Sequence, residues 1–457
     1  MQIRKYIAAL LAVVLLLGSG HADGAERQPV RIAVIDTGIS TAAISDENLA
    51  EGENYIIPEQ DTQDRDGHGT AVASVIVGSE SAGIEGICPE AVLVPLVYAD
   101  YGDDEKKCVA DRDLIAQTIR DAVDVYDCDI INFSSVIVIH SPAIEAAVQY
   151  AQECGVLVVS ASGNGGSSKR YYPGAYEETI CVGAVNEEGT GAAEFSNYHK
   201  FVDIIAPGTT VSVALPDGTP TILDGTSFAT AYISGAAAKL MTEHPDLTAA
   251  QVEQILLASA RDIAAPGRDN STGWGVLDMQ NALHFAETGQ IFRDVAATDW
   301  FFREVNEAAE QKILNGTDTV SFAPYQSTTR AMLWVMLYRS EGLPASENAK
   351  NWYSDAQEWM ISTGISDGSD PNGAITREQM ATILWRYAKY KGMNVTAGEE
   401  GVLSGYRDSA SVSGWAVEAM KWACGVGLIN GSDGALLPGN AADRAQTAVI
   451  LMRFLKI

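Results

Sequence analysis

The chain has 457 residues, 47% apolar and 20% charged, with 42 Gly and 15 Pro. This is the composition of ordered globular protein and excludes a collagen-like or low-complexity chain; at about 100–200 residues per domain it calls for two or three domains. Sixty acidic against 30 basic side chains leave a formal charge of -30, which repels phosphate backbones and anionic lipids and excludes nucleic acid as a partner.

In chain order, residues 1–25 read as an export signal. Arg4 and Lys5 precede eleven apolar residues, 7–17, and small residues follow up to Ala25. Eleven residues are too few for a bilayer span of about 20, and no later segment is apolar enough to cross a membrane. From residue 30 onward, short Val/Ile/Leu runs alternate with amphipathic stretches: strands at 30–35, 91–97, 129–134, 156–160, 179–185 and 202–206, helices at 69–77, 114–126, 143–153 and 227–243. Continuous apolar strands separated by helices predict an α/β domain over 26–290, with a parallel sheet covered on both faces.

Charge and cysteine divide the chain the same way. Residues 26–290 carry a net -27 and residues 291–457 only -4, while five of the six Cys lie before residue 200. Cys108 and Cys128 flank a helical stretch and are placed to bridge. Cys88, Cys154 and Cys181 sit in or beside apolar runs and read as buried thiols. None has the spacing of a zinc site.

Three polar residues stand where elements meet: Asp36 after the first strand, His68 between Gly67 and Gly69, and Ser227 at the start of a long Ala/Gly-rich helix. Singly, each reads as a cap or turn residue. Together they supply a nucleophile, a base to take its proton, and a carboxylate to orient the base. The segments Val34-Ile35-Asp36-Thr37-Gly38, Asp66-Gly67-His68-Gly69-Thr70 and Gly225-Thr226-Ser227-Phe228-Ala229-Thr230 resemble, in order, the three signatures of subtilisin-like serine proteases. The resemblance implies Ser227 as nucleophile, His68 as acid and base, Asp36 as its orienter and Asn164 as oxyanion donor, on protein or peptide substrates and with no cofactor required. It also implies a substrate groove including Ser134, Ser135, Gly163 and Gly102. Val136-Ile137 stand where the family has pocket-lining Gly, and the acidic run around Gly102 faces the groove either as a solvated loop or as an attractor of basic substrates. Only four to eight residues separate the predicted cleavage from the first strand, so no folding propeptide is expected. Segment 78–90 keeps the family's calcium-loop spacing, with Ser79, Glu80 and Ser81 in place of an Asn-rich stretch; calcium is an optional ligand there and no other metal is expected.

After residue 290 the sequence repeats. Trp300, Trp352 and Trp415 each precede a Gly by 16 positions, and Arg330, Arg377 and Arg444 each open an apolar helix with a second Arg nine residues on. One such unit cannot bury its apolar face alone, so the three should pack together. The pattern resembles three S-layer homology repeats, at 291–345, 346–400 and 401–457. That resemblance implies attachment to secondary cell-wall polysaccharide, with Arg330, Arg377 and Arg444 gripping acidic sugars and Asp294 and Asp408 assisting; an ordinary salt bridge is the plainer reading of the Arg residues. The sequence therefore predicts a subtilisin-like sheet flanked by helices, followed by a mostly helical three-repeat module: a secreted, wall-anchored serine endopeptidase, or alternatively an inactive wall-bound binding protein.

Overall fold

The computed structural model describes residues 28–100, 108–109, 111–344, 346, 349–396 and 401–457; the export signal and Gly102 lie outside the described residues. In chain order the strands are β1 (Arg31–Asp36), β2 (Glu53–Asn54), β3 (Gly78–Ser79), β4 (Ile84–Glu85), β5 (Val92–Val97), β6 (Ala99–Asp100), β7 (Cys108–Val109), β8 (Ile130–Phe133), β9 (Leu157–Ala161), β10 (Ile180–Val185), β11 (Ile204–Pro207), β12 (Val211–Ala214) and β13 (Pro220–Leu223). Seven of them form one parallel sheet in the order β11-β10-β9-β8-β1-β5-β2. The helices of this half are α1 (His68–Val77), α2 (Arg112–Asp124), α3 (Pro142–Glu153), α4 (Thr226–Glu243), α5 (Ala249–Ser259) and α6 (Met279–Thr288).

Strand β1 reads as a continuous apolar run because it is buried on both sides. Ile32 and Val34 join the core under α1, α4 and α5, while Ala33 and Ile35 join the core under α2 and α3. Helix α4 is buried almost all round, and its small residues allow that: a Cβ at Gly235 would lie 2.7 Å from the Ile87 Cβ. From β1 the chain first builds β5 on one side and later β8 on the other. The ends of β1 and β8 therefore meet at the topological switch point, where open α/β sheets leave a crevice.

Cys88 and Cys181 are buried thiols as expected, but two other cysteines depart from expectation. Cys154 caps the C-terminus of α3 and is exposed, because the strand starts only at Leu157. Cys128 is a free, buried thiol rather than half of a bridge, and burial pushes it up to about 12.

The C-terminal half is α7 (Phe302–Glu310), α8 (Arg330–Ser340), α9 (Ser354–Ser362), α10 (Arg377–Tyr390), α11 (Val417–Gly425) and α12 (Arg444–Phe454), sharing one core. Its three helix pairs close into a ring. Helix α8 packs on α9, α10 on α11, and α12 back on α7. At the centre Ile375 N–H donates to Thr328 O, Ala442 N–H to Ile375 O and Thr328 N–H to Ala442 O, each at 2.9 Å. Thr329, Thr376 and Asp443 cap the helices that Arg330, Arg377 and Arg444 open. The two halves meet through Val320, fully buried in the core of the sheet domain, and Arg293, whose guanidinium lies over the Trp274 ring and reaches the Leu257 and Trp274 carbonyls.

Candidate active site

Asp36 ends β1, 1% exposed, and its Oδ1 lies 2.7 Å from His68 Nδ1 while also accepting from Thr37 N–H at 2.8 Å. Its Oδ2 is buried without a partner among the described residues, so the imidazole is the main relief for that charge. Gly69 makes the approach feasible: a Cβ there would stand 2.2 Å from Gly38 O and 3.2 Å from the Asp36 Cβ. Burial lowers the His68 pKa, but the Asp36 charge and hydrogen bond outweigh it and lift the imidazole from its ordinary 6.5 to about 9.

The loop that presents His68 is organised by Asp64, which sequence reading missed. This carboxylate, 6% exposed, accepts from Thr37 Oγ1, the amides of Asp66, Gly67 and Thr70, and Thr70 Oγ1, at 2.6–3.0 Å. An Asp four residues before a Gly-flanked His was the available signal, since Asp side chains accept from the amides that follow them.

Ser227 lies in the first turn of α4, where its amide has no intrahelical acceptor and the helix dipole is positive. Its hydroxyl donates to Ser134 O at 2.7 Å. Asn164 Oδ1 accepts from Thr226 N–H at 2.9 Å and Thr226 Oγ1 at 2.8 Å, which fixes the amide and leaves Nδ2 as the free donor. Asn197 holds the Asn164 loop by donating to Ser162 O and accepting from Gly165 N–H. His68, Asn164, Ser227, Ser135 and Gly163 line one open cleft of about 460 Å³. Ser134 also lines it, but not through its side chain: its hydroxyl is buried between Asn132 Nδ2 and Ser227 O, 2.9 Å from each, because β8 and α4 are tied together there. What Ser134 offers the cleft is its carbonyl.

Among the described residues no three His, Cys, Asp or Glu side chains gather to hold a metal. At the expected calcium segment, β3 and β4 close a tight hairpin in which Ser79 Oγ donates to Ala43 O at 2.7 Å and Gly83 N–H to Glu80 O at 3.1 Å. The Ser79 hydroxyl and the Glu80 carbonyl are thus spent on contacts within the fold.

In the C-terminal module the predicted polymer residues fall into three groups. Asp294 spends both oxygens on the amides of Phe322 and Ala323, and Asp408 does the same for Leu436 and Leu437. These carboxylates brace loops, each oxygen accepting one backbone amide. Arg330 makes a 2.7 Å ion pair with Asp367. Arg377 and Arg444 are buried without a salt bridge among the described residues. Arg377 donates to Leu436 O and Gln446 Oε1, Arg444 to Phe322 O and Asn315 O, and burial pulls both guanidinium groups below their ordinary value. Arg377 lines a groove of about 580 Å³ with Trp300, Asn430 and Arg453; Arg330 lines one of about 200 Å³ with Asp367, Arg386 and Trp415. The exposed Trp300 and Trp415, 61% and 58% accessible, which the spacing marks as repeat residues, are groove walls.

A parallel α/β sheet with an Asp–His pair at the end of its first strand and a serine opening its buried central helix defines a subtilisin-like fold. Residues 27–275 match the Subtilase family, and the chain belongs to it. It is 35% identical over 265 residues to Subtilisin BL of Lederbergia lenta, covering 58% of this chain and 94% of that protein. To Subtilisin E of Bacillus subtilis (strain 168) it is 34% identical over 268 residues, covering 57% and 68% respectively. Among solved structures it is similar to the protease domain of PatA (TM-score 0.51, 28% identity, 57% of this chain and 96% of that one) and to Sphericase (TM-score 0.50, 30% identity, 55% and 91%). Residues 291–331 match the S-layer homology domain. No helix among the described residues is long and apolar enough to cross a membrane.

Proposed function

We propose that the chain is an exported serine endopeptidase that cleaves peptide bonds through Asp36, His68 and Ser227 and is held at the bacterial cell wall by three S-layer homology repeats. The observation that carries the first part is the 2.7 Å Asp36–His68 contact in the cleft that also holds Ser227 and Asn164. The Ser227 hydroxyl turns from Ser134 O to His68 Nε2 as substrate enters, since apo contacts of this kind tighten only on binding. Oγ then bonds to the scissile carbonyl carbon while its proton passes to His68 Nε2. The oxyanion is held by Asn164 Nδ2 and the Ser227 N–H. Collapse expels the amine, which takes the proton from His68, and water repeats the sequence to release the acid and restore Ser227. Labelling by a fluorophosphonate, lost in Ser227→Ala, tests this; a folded wild-type protein that stays unlabelled favours the inactive wall-bound alternative.

The anchoring reading rests on the helix ring and the match to the S-layer homology domain. The three repeats at 291–345, 346–400 and 401–457 are taken to bind secondary cell-wall polysaccharide, and their grooves are unequal. Asp367 neutralises Arg330 where the other two repeats have Asn315 and Asn430, so an acidic sugar is best received in the groove of Arg377 and Arg453. In pull-downs with wall sacculi, Arg453→Ala should lower retention at least about tenfold, the loss of one charge-assisted pair, and Arg330→Ala should not. Equal retention of all three proteins would remove the groove assignment.

A further inference from the structure

We infer that Tyr171 closes the pocket beside Ser227 and restricts the enzyme to substrates with a small residue, Gly, Ala or Ser, on the acyl side of the cleaved bond. The inference rests on the serine-protease reading, which fixes where the scissile carbonyl lies: between Ser227 Oγ and Asn164 Nδ2. The side chain of the residue that owns this carbonyl must enter the gap between two backbone segments, 134–136 leaving β8 and 161–165 leaving β9.

That gap has a floor. Tyr172 pairs with Ile137 through two backbone hydrogen bonds, Ile137 N–H to Tyr172 O at 2.7 Å and Tyr172 N–H to Ile137 O at 2.9 Å, so the 171–172 segment is stitched to the first wall. From there the Tyr171 ring crosses to the second wall. Its Cδ2 and Cε2 lie 2.4 and 2.8 Å from where a Cβ on Gly163 would stand, and Gly163, at φ +101°, is the residue that tolerates this. Val136, where a glycine would leave the entrance wide, narrows the first wall. The volume a large side chain needs is thus already taken by the phenol ring. The remaining lining, Ala161, Gly163 and Val136, carries no charge to hold Lys, Arg or Glu, and the carboxylate that does line the cleft, Asp66, stands on the His68 side. A packed aromatic between two backbone walls yields only with strain, since overfilled interiors force off-rotamer side chains and backbone shifts.

The test is a set of peptide substrates, identical but for that residue (Gly, Ala, Ser, Leu, Phe, Lys, Glu), cleaved by the full-length wild type, Tyr171→Gly and Tyr171→Phe, each also labelled with a fluorophosphonate. Wild type and Tyr171→Phe should favour Ala over Phe and Leu by at least about tenfold in kcat/KM, the scale of a misfitting group in an apolar pocket. Tyr171→Gly should raise Phe relative to Ala by at least about tenfold and still take the label. Wild type cleaving Phe or Leu as fast as Ala, or a labelled Tyr171→Gly with unchanged preference, overturns the inference. A wild type that neither labels nor cleaves any of the set overturns the serine-protease reading itself, and this inference with it.

Discussion

Replacing Asp36 by Asn tests the core of the site with the least change in shape. Thr37 N–H donates to Oδ1, the same oxygen that faces His68 Nδ1, so an amide side chain keeps its oxygen there and turns its NH2 into the Oδ2 position, which is buried without a partner. The acceptor survives and the charge is lost. With that charge gone, burial is opposed only by the weaker charges of Asp66 and Asp64, and the His68 pKa should fall from about 9 towards the ordinary 6.5. A change of that size is roughly 3 kcal/mol at about 1.4 kcal/mol per unit, or some 300-fold in the stabilisation of the imidazolium formed as Ser227 attacks. If the amide instead flips and imposes the wrong tautomer, the loss approaches about 10⁴. The assay is kcat/KM against pH for both proteins. Wild type should rise with pH towards an inflection near 9, and Asp36→Asn should inflect at least two units lower, roughly, with a plateau reduced at least about 300-fold. The sign for stability runs the other way. Because the folded value lies above the unfolded one, the pair's contribution is complete below pH 6.5 and is lost as pH rises through about 9, so wild type loses stability in the window where it gains activity. An unchanged inflection, or a loss smaller than about tenfold, would refute the reasoning.

Asn164→Ala removes one oxyanion donor and should lower kcat about 10²- to 10³-fold with KM little changed; a fall of less than about threefold would assign the oxyanion elsewhere. Asp64→Ala strands the donors of Thr37, Gly67 and Thr70 and should cost at least about 3 kcal/mol in urea unfolding, with Asp64→Asn intermediate; a cost below about 1 kcal/mol would mean the loop is held by other contacts. Glu253, on α5, is pushed to about 7, first by burial and then by the charge of Asp203. The folded state therefore binds the proton more tightly than the unfolded one, and stability falls as pH rises from about 4.5 through 7. Glu253→Gln should gain roughly 1–2 kcal/mol at pH 8 and nothing at pH 4; calorimetry showing the same gain at both would exclude the ionisation as its cause.

The order of elements and the identity of the polar residues at their ends are written in the chain. Val/Ile/Leu runs that must be buried on both faces can only be strands of a covered parallel sheet, and Asp36, His68 and Ser227 stand where such strands and helices begin or end. The repeat is written there as well, since a fixed spacing of Trp, Gly and Arg survives any packing. What the sequence does not contain is the partner of each side chain, because that depends on segments far apart in the chain. Nothing near Asp294 or Asp408 in the chain announces the amides 28 and 29 residues away that the fold brings onto them. Ser134 lies in the groove, but that its hydroxyl is buried depends on β8 lying against α4. Tyr171 had no motif at all; its ring matters only because Ile137 pairs with Tyr172 and Gly163 leaves room for it. Local pattern fixes which residues reach a surface or a strand end, whereas hydrogen-bond saturation and space filling are properties of neighbours, and neighbours are assigned by folding.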